Sequence, residues 1–442
     1  MKKLLFSIVS IMVFAAILFF TWNKNNGGNN YWMIEKFYLG KAYASSSINV
    51  PIFRGSAIIT VEAGRFLAYY DENGDVRVVF IGKDEQISSF IVKTKLPENL
   101  LGDGHCAISL GYTCDGYVHI IYGAHDTRPY YFSFLANKDT IIRFENQSPD
   151  AEQWADPITY PQFYRISDSD WLVYRYGADI YIKEYDASSR KWALKYNGPI
   201  LTADGVDSVY VDKLAVEGKT IKLSWVYRLP DTSGEVVNDG IYSIQSDDKG
   251  QTWRDVAGNN CNIPIKRGFV SKIIDIPDGV GLINQNTAFA KDGLHYLAVL
   301  RQSGNDGLFQ IFLYVISKDG KMCVREVSDN KTEFSLNGRG TLSLPLSRPQ
   351  ILVSDKNVHV IYRQDKKIVI ASVPVRDVCS DAWSYYQLDE KFTDNWEPNY
   401  DPISWTDNRE LAMYVQASRQ GPDDTAVKGE ANPAYLFELK EK

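Results

Sequence analysis

The chain has 442 residues, enough to bury a large core, and its 28 tyrosines and 10 tryptophans favour strands and sugar-binding surfaces over helices. Its formal net charge of −7 leaves no basic stripe to neutralise phosphates, which excludes a nucleic-acid partner.

The chain opens with Lys2-Lys3, an apolar run from Leu4 to Trp22, and then Asn23-Lys24-Asn25-Asn26-Gly27-Gly28. That run is about long enough to cross a bilayer and longer than an ordinary signal-peptide core. No small-x-small cleavage site follows it directly; Ala42-Tyr43-Ala44 comes too late. Residues 1–22 are therefore expected to be an uncleaved signal-anchor, with the lysines holding the N-terminus in the cytoplasm. The remainder would be exported and membrane-tethered on the periplasmic or extracellular face. A cleaved signal peptide and secretion is the alternative. Residues 23–49 read as a polar linker and residues 50–442 as one folded domain.

Asp/Asn-Gly turns recur along that domain, at Asn73-Gly74, Asp115-Gly116, Asp248-Lys249-Gly250, Asp292-Gly293 and Asp319-Gly320, with Glu217-Gly218 alike. Between them lie short alternating runs, such as Tyr117-Val118-His119-Ile120, Leu294-His295-Tyr296-Leu297 and Val358-His359-Val360-Ile361. Turn signals about 40 to 60 residues apart, with no competing amphipathic helix, are the period of four-stranded propeller blades. The expected fold is an all-β propeller of seven blades. Ser246-Asp247-Asp248-Lys249-Gly250-Gln251-Thr252-Trp253 fits the Asp-box turn of the sialidase-like superfold. In it Asp248 would accept backbone N–H bonds, Gly250 would take a positive φ, and Trp253 would pack beneath. Such a box is structural.

The five cysteines show no C-x-x-C pair, and an odd number cannot all pair within the chain. Cys106 and Cys114 flank one strand, where a disulfide or two free thiols would both fit.

Gly102 to Phe134 reads as two strands joined by a Cys-Asp-Gly turn, the strand Tyr117–Tyr122 having one buried face. His105 lies before one strand and His125 after the next, so a hairpin puts both at one rim, where loops and sites gather. His119, His295 and His359 sit within strands and read as structural. Tyr160 opens a later strand and Arg175 ends another, so both can face the same mouth. Tyr210, Arg228, Asn284-Gln285-Asn286, Arg301 and Arg348 recur at comparable rim positions.

Two His, a Tyr and two or three Arg are the parts of a β-elimination at an acidic sugar. The C5 proton of a uronate becomes removable when Arg or His neutralises its carboxylate. A base then takes that proton and an acid protonates the departing O4, roles open to His and Tyr. No metal is required. The alternatives are a sialidase-type exo-hydrolase, suggested by the Asp-box and by Phe53-Arg54-Gly55-Ser56, and a non-catalytic glycan-binding propeller.

In their order, several motifs resemble the BNR-repeat propeller family that includes ulvan lyases and related polysaccharide lyases. They are Gly102-Asp103-Gly104-His105, Tyr122-Gly123-Ala124-His125, Thr159-Tyr160-Pro161-Gln162-Phe163, Tyr174-Arg175-Tyr176-Gly177, Trp225-Val226-Tyr227-Arg228, the Asp-box, Arg348-Pro349-Gln350 and Trp396-Glu397-Pro398-Asn399-Tyr400-Asp401. The resemblance implies that His105 and His125 are active-site histidines, Tyr160 an acid/base, and Arg175 the residue that neutralises the substrate carboxylate. It places Tyr210, Arg228 and Arg348 among the substrate contacts. It also implies an acidic, uronate-containing polysaccharide as substrate, and propellers that can carry a structural metal ion.

Overall fold

The computed structural model describes residues 32–442 except 52–54, 93–94, 137–153, 155, 204, 206–207, 231–235, 278, 337–339 and 389–393. The apolar run expected as a signal-anchor, and Arg54, lie outside the described residues. Among those described, no helix is long and apolar enough to cross a membrane.

The turns punctuate a succession of antiparallel sheets, and no sheet exchanges strands with a neighbour except at the chain ends. The first sheet comprises Ile58–Val61, Gly64–Tyr70, Val76–Gly82 and Ile87–Ile91; the second, Ser109–Tyr112, Tyr117–Tyr122 and Tyr130–Leu135. The third runs from Thr159–Ile166 out to Lys191–Leu194, and the fourth, with eight strands, from Ser208–Val211 to Lys272–Asp275. The fifth starts at Thr287–Lys291, the sixth at Gln350–Val353 and the last at Asn399–Tyr400. The architecture is an all-β propeller. The expected seven blades need correction: among the described residues six sheets have the four strands or more of a full blade, and the second has three.

The linker expected over residues 23–49 needs correction. Trp32–Ala42 is a strand, and it pairs antiparallel with Asn432–Glu441 as the outermost strand of the last sheet. The two ends of the chain thus close the ring in one blade. Trp32 packs into the closure, 4.7 Å from the His359 ring, and is 5% exposed. A second tie joins the first blade to the last: Arg65 donates to Glu410 at 2.7 Å, lies 3.6 Å from Asp401, and also pairs with Glu438. Ser56 donates to the Tyr400 carbonyl at 2.6 Å, and the Asn399 side chain accepts from the Ala57 N–H at 3.0 Å.

Blades stack face against face, so both sides of the middle strands meet apolar surface. This corrects the expectation of one buried face for Tyr117–Tyr122, where every residue after Tyr117 is buried. Phe309–Ile316 is buried along its whole length.

The Asp-box behaves as the turn chemistry requires. Asp248 accepts from the Thr252 N–H at 2.9 Å and the Thr252 hydroxyl at 2.6 Å, while Ser246 accepts from the Gly250 N–H at 2.7 Å. Gly250 has φ +76°, and a Cβ there would lie 2.6 Å from Trp171. Trp253 packs beneath, its indole N–H donating to the Tyr196 hydroxyl at 3.0 Å.

Cys106 and Cys114 do not pair: Cys106 is buried beside Asp103, whereas Cys114 is exposed. The disulfide is Cys323–Cys379, spanning 56 residues and joining the outer strand of the fifth blade to the connection between the strands Lys367–Pro374 and Ser384–Leu388 of the sixth. By loop closure, Cys379→Ser should cost about 2–5 kcal/mol. Thermal unfolding of the oxidised wild type and the variant measures this, and equal midpoints would contradict it.

His119 is fully buried, with Thr113 Oγ1 2.9 Å from its Nε2 and the Tyr131 hydroxyl 2.7 Å from its Nδ1. Burial pushes its pKa from 6.5 down to about 3, and does the same to His295. Both rings are neutral in the fold and take up protons once unfolded. Stability is therefore highest above pH 6.5 and falls on acidification towards pH 3, by about 1.4 kcal/mol per pH unit for each ring. The unfolding temperature should drop between pH 7 and pH 5; an unchanged value would count against neutral burial.

Candidate active site

The inner ends of the blades open onto one cleft of about 540 Å³. His105, His125, Tyr160, Arg175, Tyr210, Arg228 and Arg348 all line it. The elements explain the convergence. His105 sits in the short 3₁₀ turn Gly104–Cys106 that enters the second blade, and His125 follows the strand Tyr117–Tyr122 that ends at the same rim. Tyr160 is the second residue of the inner strand of the third blade, and Arg175 is near the end of the strand beside it.

The two imidazoles stack, with centroids 4.2 Å apart and planes at 22°. Asp103 caps the 3₁₀ turn by accepting the His105 N–H at 2.8 Å, and the same carboxylate holds both rings. His105 Nδ1 lies 2.7 Å from Asp103 Oδ1, and His125 Nδ1 bonds to Oδ2. Burial alone would raise the Asp103 pKa, but the hydrogen bonds and charges of the two histidines hold it well below the usual carboxylate range. Asp424, from the 3₁₀ turn Pro422–Asp424 in the last blade, lies 3.4 Å from His105 Nδ1 and also accepts the Thr341 N–H at 2.8 Å. Its pKa is lowered too, because its contacts with His105 outweigh burial.

Tyr160 adopts φ +57°, a conformation that a tyrosine keeps only when its surroundings hold it there. Its ring is 5.8 Å from the His105 ring and 6.0 Å from that of Tyr210. The Arg175 guanidinium lies 5.2 Å from the Tyr160 centroid and 5.4 Å from the Tyr210 centroid. Only 7% of Arg175 is exposed, and its polar contacts among the described residues are long: Asp126 at 3.3 Å and Ser208 at 3.4 Å, with no partner for Nε among those residues. A buried guanidinium so loosely engaged is poised for an incoming carboxylate.

The rim arginines divide. Arg228 and Arg348 both line the cleft, and Arg348 is also tied to Glu397 at 3.0 Å and to the Asn284 carbonyl at 3.0 Å. Arg301 packs over the Phe312 ring at 3.7 Å and does not reach the cleft. Asn284 and Gln285 line it, while Asn286 is buried against Asp212. Asp103, Asp126 and Asp424 were not recognisable from sequence, since acidic residues beside turns are common. Cys106 is turned into the core, 3.9 Å from Asp103, and does not line the cleft.

Asp103, His105 and His125 place three donor atoms within 4.8 Å of one another, the set a divalent cation could use. Near-parallel rings direct their in-plane Nδ1 lone pairs side by side, whereas a metal needs them to converge. One carboxylate with two oxygens serves both rings directly. The donors therefore fit a shared hydrogen-bonded carboxylate and not a metal centre.

Fold and cleft together define a β-propeller protein whose site gathers where the inner blade ends meet. Residues 64–330 match the BNR_4 profile, described as a BNR repeat-containing family member, and the chain belongs to that family. It is a BNR-repeat propeller. Among solved structures it is similar to a polysaccharide lyase described as a PL25 ulvan lyase, with a TM-score of 0.59 and 15% identity over 86% of this chain and 94% of that one. A complex of such a lyase with -[GlcA(1-4)Rha3S]- superposes with a TM-score of 0.56 at 14% identity, again over 86% and 94%. The BP39L lectin of Burkholderia pseudomallei matches with a TM-score of 0.50 and 10% identity, over 86% of this chain and 99% of the lectin. No curated protein matches the sequence significantly.

Proposed function

We propose that the protein is a polysaccharide lyase that cleaves a uronate-containing polysaccharide by β-elimination. The observation that carries this reading is the buried, loosely paired Arg175 beside both Tyr160 and Tyr210, in the same cleft as the stacked histidines. Arg175, with His125, would hold the uronate carboxylate and so stabilise negative charge spreading from C5. His105 and Tyr160 would act as the base that removes the C5 proton and the acid that protonates O4. The C4–O4 bond breaks, a C4–C5 double bond forms, and no water enters the products. Tyr210 and Arg228 would contact neighbouring sugar units, and the chemistry calls on no metal.

The cleft lining also bears on hydrolysis. Among the described residues, Asp424 is the one carboxylate lining the cleft, and it is engaged with His105. A glycosidase of the ordinary kind needs two carboxyl groups flanking the scissile bond. The Cys323–Cys379 disulfide supports export to an oxidising compartment, in keeping with an apolar N-terminal segment that anchors or directs the chain.

The test is to incubate the propeller with a panel of uronate polysaccharides and follow the ultraviolet absorbance of the unsaturated product. Absorbance with at least one polymer is expected. Reducing ends released with no absorbance would replace the lyase with a hydrolase, and glycan binding that forms no product would leave a lectin.

A further inference from the structure

Behind the cleft histidines lies a carboxylate arrangement that the proposed chemistry does not itself demand. Asp103 offers one oxygen to each Nδ1 of two stacked imidazoles, and Asp424 approaches His105 from the far end of the chain. An ionised carboxylate can only accept, so each Nδ1 must carry the proton in these bonds. In the neutral form of either ring the lone pair then lies on Nε2, and proton transfer takes place there.

We propose that Asp103 and Asp424 are positioning residues. Asp103 sets the Nδ1–H tautomer of His105 and His125 together and keeps the rings stacked. Asp424 approaches the same Nδ1 of His105 at 3.4 Å and couples that ring to the closing blade.

The two carboxylates come from parts of the fold that ring closure brings together. Asp103 is fixed by capping the turn that carries His105. Asp424 is fixed by the Thr341 N–H and by its loop, where Gln420 accepts the Ser47 N–H at 2.9 Å and donates to the Gly102 carbonyl at 3.0 Å. Gly102 has no room to spare, since a Cβ there would lie 2.7 Å from the Ala426 nitrogen. The loop of the last blade is thus packed on the segment that leads into Asp103. Thr341 Oγ1, 3.5 Å from His105 Nδ1, completes the enclosure. His125, by contrast, faces one carboxylate, and its side chain is 27% exposed against 11% for His105. The arrangement makes His105 the more rigidly held ring.

Asp103→Asn is the sharp test, because the amide keeps the size but offers one oxygen and one NH₂ in place of two oxygens. One imidazole must then present a bare Nδ1 to the NH₂ and move its proton to Nε2. Nitrogen NMR of the histidine rings in the whole propeller reads this directly. The wild type should show Nδ1–H for both neutral rings, and the variant should show one ring switched to Nε2–H. This arm does not depend on any activity, whereas the kinetic arm rests on the lyase reading. There kcat should fall by about a hundredfold or more with KM little changed, the pattern of a tautomer fault. Asp424→Asn should cause a smaller loss of kcat and leave the His125 signals in place. An Nε2–H tautomer on either ring of the wild type would overturn the proposal without any variant. So would Asp103→Asn with unchanged ring signals. A lyase-negative protein that still shows both Nδ1–H rings would overturn the reaction and not the positioning.

Discussion

Arg175→Ala is expected to lower kcat/KM on a uronate polysaccharide by about a thousandfold, since one preorganised charge on a developing anion is worth about 10²–10³ in rate, before lost binding is added. The loss should not be recovered by Arg175→Lys. An ammonium is a point charge and cannot lie against both the Tyr160 and Tyr210 rings while meeting a carboxylate with two donors in a fixed fork. Both variants need a thermal unfolding control, because Arg175 is 7% exposed and its removal leaves a gap beside the two rings. Steady-state kinetics on folded protein decide the matter. An Arg175→Ala enzyme within a few-fold of wild type would remove the residue from the chemistry.

Tyr160→Phe carries the second large effect. The change keeps the ring that stacks beside Arg175 and removes only the hydroxyl, so binding should persist while proton transfer fails. A loss of about 10²–10⁴ in kcat is expected, with KM nearly unchanged. If KM rises while kcat holds, Tyr160 is a binding residue and the proton transfer belongs to the histidines. The φ of +57° at this position adds a further check. Phenylalanine must accept the same backbone, so the unfolding temperature should shift little.

Much of this site can be read in the sequence because propeller geometry is periodic. His105 and His125 flank a hairpin, and hairpin pairing puts their positions at one rim whatever the surrounding packing. Tyr160 and Arg175 repeat that logic one blade later. The Asp-box is equally local, since Ser246, Asp248, Gly250 and Trp253 satisfy one another within a single turn.

The rest depends on contacts that no local pattern encodes. Trp32–Ala42 looks like a linker until the ring closes and offers it Asn432–Glu441 as a partner. Asp424 becomes a neighbour of His105 only through that closure. Arg348 has the residue type and position of a substrate contact, and only the structure shows its tie to Glu397. The disulfide partners Cys323 and Cys379 belong to adjacent blades, and sequence spacing did not single them out. His119, His295 and His359 were assigned to structure by their place in strands, and their burial agrees.

Elimination and hydrolysis differ in whether water enters the products. Cleavage in water enriched with heavy oxygen, followed by mass spectrometry of the products, tests this most directly. Elimination adds no water, so the masses of the two fragments should sum to that of the parent chain, apart from exchange of the new reducing-end oxygen with solvent, and one fragment should bear the unsaturated uronate. Fragments whose masses together exceed the parent by one labelled water, with no unsaturated end, would contradict the account.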